Sequence, residues 1–480
     1  MEAKRNIREL VVDSLMEVDS GKRTMSQVMN RTLRTYQYMS KQERSFYSRL
    51  CEGTLEYELQ LDYLLNQVSK TPVKKCRPYI RSLLRMSLYQ ILYMDGVPEE
   101  AVCNEAVKLA KKHGFQSLSG FVNGVLRAMV RKKDTIAFPN REQGEIAHLS
   151  VSYAMPEWLV ERFLTWYGSE TTEAMLQAFL KRSPLTVRVN QWKTTKEKLI
   201  ADLGKEGIRG IPGNYTDNTL QLEGINYLNR VPAFREGLMT VQDESSVLQG
   251  YLICPDSKAK ILDICAAPGG KSMHAAERLL LTQLQGSLDT NADTDMDMDI
   301  QTGCVTARDV SDAKIEQIQE NIMRMQYPNL QTEVWDALVK DADWTEQADY
   351  VIADVPCSGL GVIGRKPDIK YRIQQEQLEE LKRLQRQILE QAVAYVKPGG
   401  YLVYSTCTLN PEENEGQVAW MKEAYSLQTV DIRNYLPQGL QEELKQLPGN
   451  DLEGGYCTLI PGRQKCDGFF MALLRKEAVD

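Results

Sequence analysis

The amino-acid sequence predicts a multidomain chain with an all-α N-terminal bundle, a small α+β subdomain and a C-terminal α/β domain with a Rossmann-like, doubly wound sheet. Its 480 residues exceed the size at which a single hydrophobic core keeps growing. Apolar residues recur at helical spacing over residues 7–131, whereas beyond residue 250 short apolar runs alternate with helical stretches. We therefore expect domains at residues 1–138, 139–250 and 251–478.

The N-terminal part combines a helical pattern with an excess of positive charge. Ile80, Leu83, Leu84 and Leu88 follow three- and four-residue steps. Residues 1–140 hold 23 Lys and Arg against 15 Asp and Glu, although the whole chain has a net charge of −7. This excess favours binding to nucleic-acid phosphates. An ordinary solvated helical surface is the alternative.

The overall composition favours a cytoplasmic, monomeric protein without membrane or metal. With 42% apolar and 26% charged residues, the chain lacks both a secretory h-region and an apolar run of bilayer length. The ten cysteines form no CxxC pair, and the three histidines have no ligand spacing. We therefore expect free thiols and no structural metal.

The middle part, residues 139–250, begins as a linker and then shows the apolar spacing of an α+β domain. Residues 186–190 (TVRVN) alternate like a strand, KEKLIADLGKEG has helical spacing, and NTLQLEG again alternates. A small sheet with a helix is expected here.

The third part begins with a strand-to-turn-to-helix pattern typical of a nucleoside site. The run KILDICA leads into Pro268, Gly269, Gly270 and Lys271 and then into a helical segment. In open α/β sheets this first turn binds ligands through backbone N–H groups. A Walker A loop almost fits, but Cys265 stands where its first glycine belongs, and the dinucleotide pattern GxGxxG is missing.

An acidic stretch, residues 286–304, interrupts the α/β rhythm. It contains five aspartates and no Lys or Arg. Its start, Asp293-x-Asp295-x-Asp297, is like a calcium loop, but Met298 and Cys304 replace the glycine and the glutamate that such a loop needs. A flexible acidic insertion is the preferred interpretation.

Two aspartates are candidates for holding a nucleoside. Asp309 lies 40 residues after Gly269, which becomes 21 without the 19-residue insertion, close to the spacing of a ribose-binding carboxylate. Asp336 follows the expected third strand and is a candidate acceptor for an adenine amino group. For each aspartate, a helix cap or turn role is the alternative.

Two cysteines directly follow strands on the expected ligand-binding edge. Cys357 stands in DVPCSG, three residues after Asp354, and Cys407 stands in STCT. A lone cysteine at a strand end is more often a small buried hydrophobe. Two of them at neighbouring strand ends instead favour a nucleophilic site.

The motifs DICAAPGGK (263–271), DVPCSG (354–359) and YSTCTLNPEENE (404–415) resemble those of the RNA cytosine-C5 methyltransferases. RVN (188–190) and VQDESS (241–246) are also similar to that family. The helical part, with FVNGVLRAM, resembles the RNA-binding antitermination factor NusB. The fusion is therefore similar to bacterial enzymes of the Sun/Fmu family, which methylate 16S rRNA.

This resemblance implies S-adenosylmethionine as cofactor and RNA, namely 16S rRNA, as substrate. It implies that Asp309 and Asp336 hold the ribose and adenine, that Asp354 faces cofactor and base, that Cys407 is the nucleophile and that Cys357 assists later. It further implies a cofactor-binding turn made of Cys265, Ala266, Ala267, Pro268, Gly269, Gly270 and Lys271.

Three other functions are compatible with parts of the sequence. A P-loop NTPase would use Lys271 and Ser272 on phosphates, but it lacks the glycine at position 265. A non-catalytic RNA-binding protein would leave Cys357 and Cys407 unexplained. A DNA cytosine methyltransferase would place the nucleophile in the Pro-Cys dipeptide, at Cys357 instead of Cys407.

Overall fold

The computed structural model describes residues 5–289 and 303–478. The chain divides into two compact units, Met1–Lys181 with Ile363–Ile373, and Arg182–Val362 with Gln374–Asp480. The predicted fold class is confirmed, since helices build the first unit and two sheets with helices build the second. The boundaries at residues 138 and 250 stay predictions.

The first unit is helical because its apolar residues line one buried face of each segment. Capping boxes at Thr24 and Ser40 begin two of its helices, and Pro78 occupies the first turn of another. Gly168, at φ +72°, breaks the longest one. The helices are α1 (Ile7–Asp19), α2 (Met25–Thr35), α3 (Lys41–Glu56), α4 (Glu58–Asn66), α5 (Pro78–Tyr93), α6 (Glu99–Lys112), α7 (Ser119–Lys132), α8 (Glu145–Ser152) and α9 (Glu157–Phe179).

A late segment of the chain, residues 363–373, completes the first unit. It contains a short helix, Ile369–Arg372, and the ring of Tyr371 packs against the helical core. Lys370 is 2% exposed, and its Nζ donates to the Glu56 carbonyl oxygen at 2.8 Å. Burial lowers the pKa of Lys370 to about 8 and raises that of Glu56 to about 7. Sequence patterns did not predict this packing.

The second unit starts with a small antiparallel sheet. Its strands β1 (Leu185–Val189), β2 (Arg209–Pro212), β3 (Thr219–Glu223) and β4 (Met239–Val241) pair in the order β2-β3-β1-β4. The strands predicted at residues 186–190 and in NTLQLEG are both present. The accompanying helices are α10 (Lys196–Lys205), α11 (Pro232–Arg235) and α12 (Glu244–Tyr251).

The larger sheet has the order β10-β12-β9-β8-β5-β6-β7, with β11 paired to β12. The five strands from β5 to β9 are mutually parallel, whereas β12 and β10 are antiparallel to their neighbours. The strands are β5 (Lys260–Asp263), β6 (Cys304–Asp309), β7 (Leu330–Val334), β8 (Ala348–Asp354), β9 (Val396–Thr406), β10 (Leu427–Thr429), β11 (Tyr456–Leu459) and β12 (Phe469–Lys476).

Helices cover both faces of this sheet because successive strand residues point to opposite sides. Ile261 and Ile352 belong to one apolar cluster, while their neighbours Leu262 and Val351 belong to the other. The helices of this domain are α13 (Gly270–Asp289), α14 (Asp312–Met325), α16 (Gln375–Tyr395), α17 (Glu415–Ala424) and α18 (Gln438–Leu444), with the short helix at residues 369–372 taken as α15.

The predicted acidic loop, residues 286–304, lies mostly outside the described residues. Helix α13 runs through Asp289 and β6 begins at Cys304, so both ends of the predicted loop belong to regular elements. Gly303, just before β6, packs closely against the backbone that precedes β5. Its N–H donates to the Ser257 carbonyl oxygen at 2.6 Å, and a Cβ there would meet backbone at 2.3 Å. The segment 290–302, which includes the proposed calcium-like aspartates, is not described.

Candidate active site

The predicted site residues follow the carboxyl ends of β5, β6, β7, β8 and β9. The chain runs outward from β5 through β6 to β7 and then returns to β8 on the other side of β5. Parallel sheets bind ligands at such a reversal of strand order. The fold therefore places the candidate residues at the edge where a ligand is expected.

The seven predicted cofactor residues form most of the turn after β5 and the first two residues of α13. Gly269 has φ +98°, and a Cβ there would lie 3.1 Å from the Ile318 side chain. Glycine therefore meets both a conformational and a steric demand. The buried Asp263 closes β5 and accepts a hydrogen bond from Ser272 Oγ at 2.6 Å. Burial raises the pKa of Asp263 to about 7.

Asp309 lies against this turn. Its Oδ2 accepts the Ala267 N–H at 2.9 Å, and its Oδ1 accepts from Lys314 Nζ and from the Val310 N–H, both at 2.8 Å. The residue is 5% exposed. The spacing argument thus identified a residue that does reach the glycine turn.

Asp336 has a more local environment. Its side chain is exposed, and Oδ1 accepts the Leu338 N–H at 3.0 Å, which is an Asx turn. The backbone N–H of the neighbouring residue Trp335 donates to the Asp309 carbonyl oxygen at 3.0 Å. Asp336 therefore lies one strand away from Asp309 and forms an Asx turn, and its contact with adenine stays a prediction.

Asp354, at the end of β8, is held at both carboxylate oxygens. Lys271 Nζ lies 2.7 Å from Oδ2, and Ser405 Oγ donates to Oδ1 at 2.9 Å. The Lys271 ammonium also lies 5.1 Å from the centre of the Phe469 ring. A charge-assisted pair of this kind fixes the orientation of the carboxylate. Lys271 thus links the cofactor turn to the candidate catalytic carboxylate.

The structure brings the two predicted cysteines together. Cys357 Sγ and Cys407 Sγ are 3.3 Å apart, and both residues are partly buried. The hydrogen bond with Cys407 and burial raise the pKa of the Cys357 thiol well above its ordinary value. This favours the neutral thiol of Cys357, which is not the nucleophilic form.

Sequence patterns gave no role to two buried groups near the site. Glu413 lies six residues after Cys407 and is fully buried among donors from both cysteine loops. Arg188 Nη1 lies 2.9 Å from Glu277 Oε1, and Arg188 Nε donates to Gln242 Oε1 at 2.9 Å. The nearest sequence signal was that Glu413 and Arg188 fall within the family-like motifs YSTCTLNPEENE and RVN.

The contacts of Lys271 and Ser272 disfavour the P-loop alternative. Lys271 pairs with Asp354, and the fully buried Ser272 hydroxyl donates to Asp263, so neither group is directed to a phosphate or a magnesium ion. Within residues 5–289 and 303–478, no group of three or more His, Cys, Asp or Glu side chains is arranged to hold a metal. No described helix is long and apolar enough to cross a membrane.

Comparisons with protein families agree with the fold. Residues 250–475 match the family described as 16S rRNA methyltransferase RsmB/F. Residues 155–226 match the ferredoxin-like domain of RsmF/B-like methyltransferases, and residues 5–131 match the NusB family. The chain is therefore an RNA methyltransferase with a Rossmann-like catalytic domain and a NusB-like helical domain.

Full-length relatives narrow this class. The chain is 31% identical to the probable ribosomal RNA small subunit methyltransferase B of Bacillus subtilis, over 99% of each chain. It is 29% identical to the corresponding Proteus mirabilis enzyme, over 99% of this chain and all of that one. The chain belongs to the ribosomal RNA small subunit methyltransferase B family, which confirms the resemblance found in the motifs. Membership implies S-adenosylmethionine-dependent methylation of ribosomal RNA.

Solved structures share the fold. A crystal structure described as PH0851 has a TM-score of 0.78 at 22% identity, covering 99% of this chain and all of that one. NSun6 from Pyrococcus horikoshii, solved with the ligand SFG, has a TM-score of 0.53 at 22% identity, covering 68% of this chain and 99% of that one.

Proposed function

We propose that this protein transfers a methyl group from S-adenosylmethionine to carbon 5 of a cytosine in 16S rRNA, through a covalent bond between Cys407 and carbon 6. The observation that carries the proposal is the pair of thiols 3.3 Å apart, on loops that follow adjacent parallel strands. Asp354, on the first of these strands, supplies a fixed carboxylate at the same edge.

The residues at the turn fit S-adenosylmethionine. The nearly buried Asp309 carboxylate offers acceptors for ribose hydroxyls. The exposed aliphatic side chains of Val310 and Leu338, 53% and 42% accessible, offer apolar surface for a purine beside Asp309 and Asp336. When bound, S-adenosylmethionine supplies an electrophilic methyl group.

Cys407 supplies the nucleophile that the reaction requires first. Carbon 5 of cytosine is too electron-poor to take a methyl group directly, and addition of a thiolate at carbon 6 moves an electron pair onto carbon 5. Asp354 would meet the N3/N4 edge of the base, where charge develops as the sulfur adds. Its contacts with Lys271 and Ser405 keep it oriented for that role.

Cys357 assists the second step, in which the methylated base is released from Cys407. Once carbon 5 carries the methyl group, a base such as a water molecule must take the proton on carbon 5. The electron pair of that C–H bond then re-forms the double bond between carbons 5 and 6, and the carbon–sulfur bond to Cys407 breaks. The Cys357 thiol, in contact with Cys407 Sγ, is placed to protonate the departing sulfur. The reaction also needs a single-stranded or flipped-out cytosine, because a stacked base cannot reach this edge.

Bisulfite sequencing of 16S rRNA tests the proposal, because 5-methylcytosine resists conversion to uracil. Cells that contain the protein should show one resistant cytosine that becomes convertible when the gene is deleted. Resistance should return with the wild-type gene but not with Cys407→Ala. Identical conversion with and without the protein would refute cytosine-C5 methylation.

A further inference from the structure

We propose that Glu413 is a positioning residue that sets the distance between the Cys357 and Cys407 sulfurs. The catalytic part of this inference rests on the proposed function, whereas the geometric part does not. Two segments carry the sulfurs: the Cys357 loop, residues 355–362, and the Cys407 loop, residues 407–414.

The Glu413 carboxylate is fully buried and accepts four hydrogen bonds. Oε2 accepts the Ser358 N–H at 2.9 Å and Gln385 Nε2 at 2.8 Å. Oε1 accepts Ser358 Oγ at 2.5 Å and Asn410 Nδ2 at 3.0 Å. Both oxygens thus act as acceptors in these four bonds.

The donors come from both cysteine loops and from the helix behind them. Ser358 is the neighbour of Cys357, and Asn410 lies three residues after Cys407. Gln385 of α16 donates to Glu413 and also to the Pro356 carbonyl oxygen at 3.0 Å. One carboxylate therefore fixes the start of the Cys357 loop against the middle of the Cys407 loop.

Further bonds join the two loops around this carboxylate. Ser358 Oγ and Thr408 Oγ1 are 2.6 Å apart, and the Gly361 N–H donates to the Cys407 carbonyl oxygen at 3.0 Å. The Glu413 backbone carbonyl accepts from the Tyr404 hydroxyl at the end of β9. Because these bonds fix the position of Glu413, a change in the hydrogen bonding of its carboxylate should displace the two cysteine loops.

Loop displacement would matter because the two thiols act on one base. A shift of about 1 Å at reacting groups can cost a hundredfold in rate. Glu413→Gln keeps the volume but replaces one acceptor with an NH₂ donor. The NH₂ group must then face two groups that donate to Glu413 in the wild type. These are either the Ser358 N–H and Gln385 Nε2, or Ser358 Oγ and Asn410 Nδ2. The Cys357 loop should move away from Cys407 as a result.

The spacing of the thiols is measured without turnover. Phenylarsine oxide bridges two adjacent thiols and protects them from alkylation, which peptide mass spectrometry reads for Cys357 and Cys407. Wild-type protein should show joint protection, and Cys357→Ala should lose it. Glu413→Gln should need at least tenfold more arsenical. The matched control is Glu412→Gln, whose partly exposed carboxylate pairs with Lys382, and it should behave as wild type.

The kinetic arm measures methylation of an rRNA fragment. Glu413→Gln should lower kcat at least tenfold, with the KM values for S-adenosylmethionine and RNA within threefold, and should accumulate RNA covalently attached through Cys407. If Glu413→Gln fails to fold, Ser358→Ala, which keeps the backbone N–H but loses the hydroxyl bonds, should shift arsenical binding and kcat in the same directions.

Arsenical protection in Glu413→Gln equal to that in Glu412→Gln would overturn the proposal, and so would a lower kcat with unchanged protection. Weaker protection in a protein whose methylation proves independent of Cys407 would support the positioning role and contradict the proposed function.

Discussion

Asp263 illustrates how a single buried group near the site should affect stability. Its pKa is raised by burial to about 7, above the value near 3.9 expected in the unfolded chain. The folded state therefore binds the Asp263 proton more tightly than the unfolded state does. The resulting contribution to the free energy of unfolding is fully present below about pH 4 and is lost as the pH rises to about 7.

Asp263→Asn should remove this pH dependence. We expect the free energy of unfolding of the wild type, relative to the variant, to fall by roughly 2–3 kcal/mol between pH 5 and pH 8. Urea unfolding at the two pH values measures it, with the exposed Asp217→Asn as control. Parallel changes in wild type and Asp263→Asn would show that Asp263 does not titrate in this range.

Local signals in the sequence selected residues that the structure places at one edge of the parallel sheet, and the roles of these residues stay predictions. Asp309 was found by its distance from Gly269, and Cys357 and Cys407 by their positions after apolar runs. Glu413 was missed because its place in the structure depends on four hydrogen bonds, three of which come from residues remote in sequence, Ser358 and Gln385. Such convergence depends on tertiary structure, which a motif does not display.

At the scale of elements, β5, β8 and β9 were predictable because buried parallel strands read as continuous apolar runs. Residues 363–373 were not, because a short segment that packs in a different unit leaves no periodic pattern. The acidic insertion predicted from composition lies mostly outside the described residues, and its predicted ends cut into α13 and β6.

Replacing residues 290–302 with a short Gly/Ser linker should leave S-adenosylmethionine affinity within about threefold, or roughly 0.7 kcal/mol. The physical reason is that the ribose-site spacing is close to ordinary without the insertion. Gly303 must be retained, because its N–H donates to the Ser257 carbonyl oxygen and a Cβ at this position would clash with the Ala259 backbone. Calorimetric titration measures the affinity, and a tenfold loss would mean that the insertion helps form the cofactor site.

At the scale of the whole molecule, the positive N-terminal part should supply RNA affinity. Lys74 and Lys75 are exposed in a stretch between α4 and α5 that also contains Lys70 and Arg77. Deleting the helical part is a poor test, because Lys370 and Tyr371 are buried in the same unit and would become exposed. Point substitutions avoid this exposure.

Lys74→Ala with Lys75→Ala should weaken RNA binding and lower the slope of log K against log salt. Each lost phosphate contact reduces the slope by about 0.7 to 0.9, so the loss of two contacts should lower it by up to roughly 1.4–1.8. Filter binding at several salt concentrations measures it. Lys422→Ala with Lys445→Ala, also exposed, is the matched control. Equal slopes in both double variants would place the phosphate contacts elsewhere.

The division of labour between the two cysteines is tested most directly by trapping the enzyme on its RNA. In Cys357→Ala, Cys407 should still add to carbon 6 but be released slowly, so that a heat-resistant protein–RNA band appears on a denaturing gel. Cys407→Ala should form no band, lose nearly all activity and still bind S-adenosylmethionine. The double variant should also lack the band. A band in Cys407→Ala and none in Cys357→Ala would contradict the assignment and make Cys357 the nucleophile.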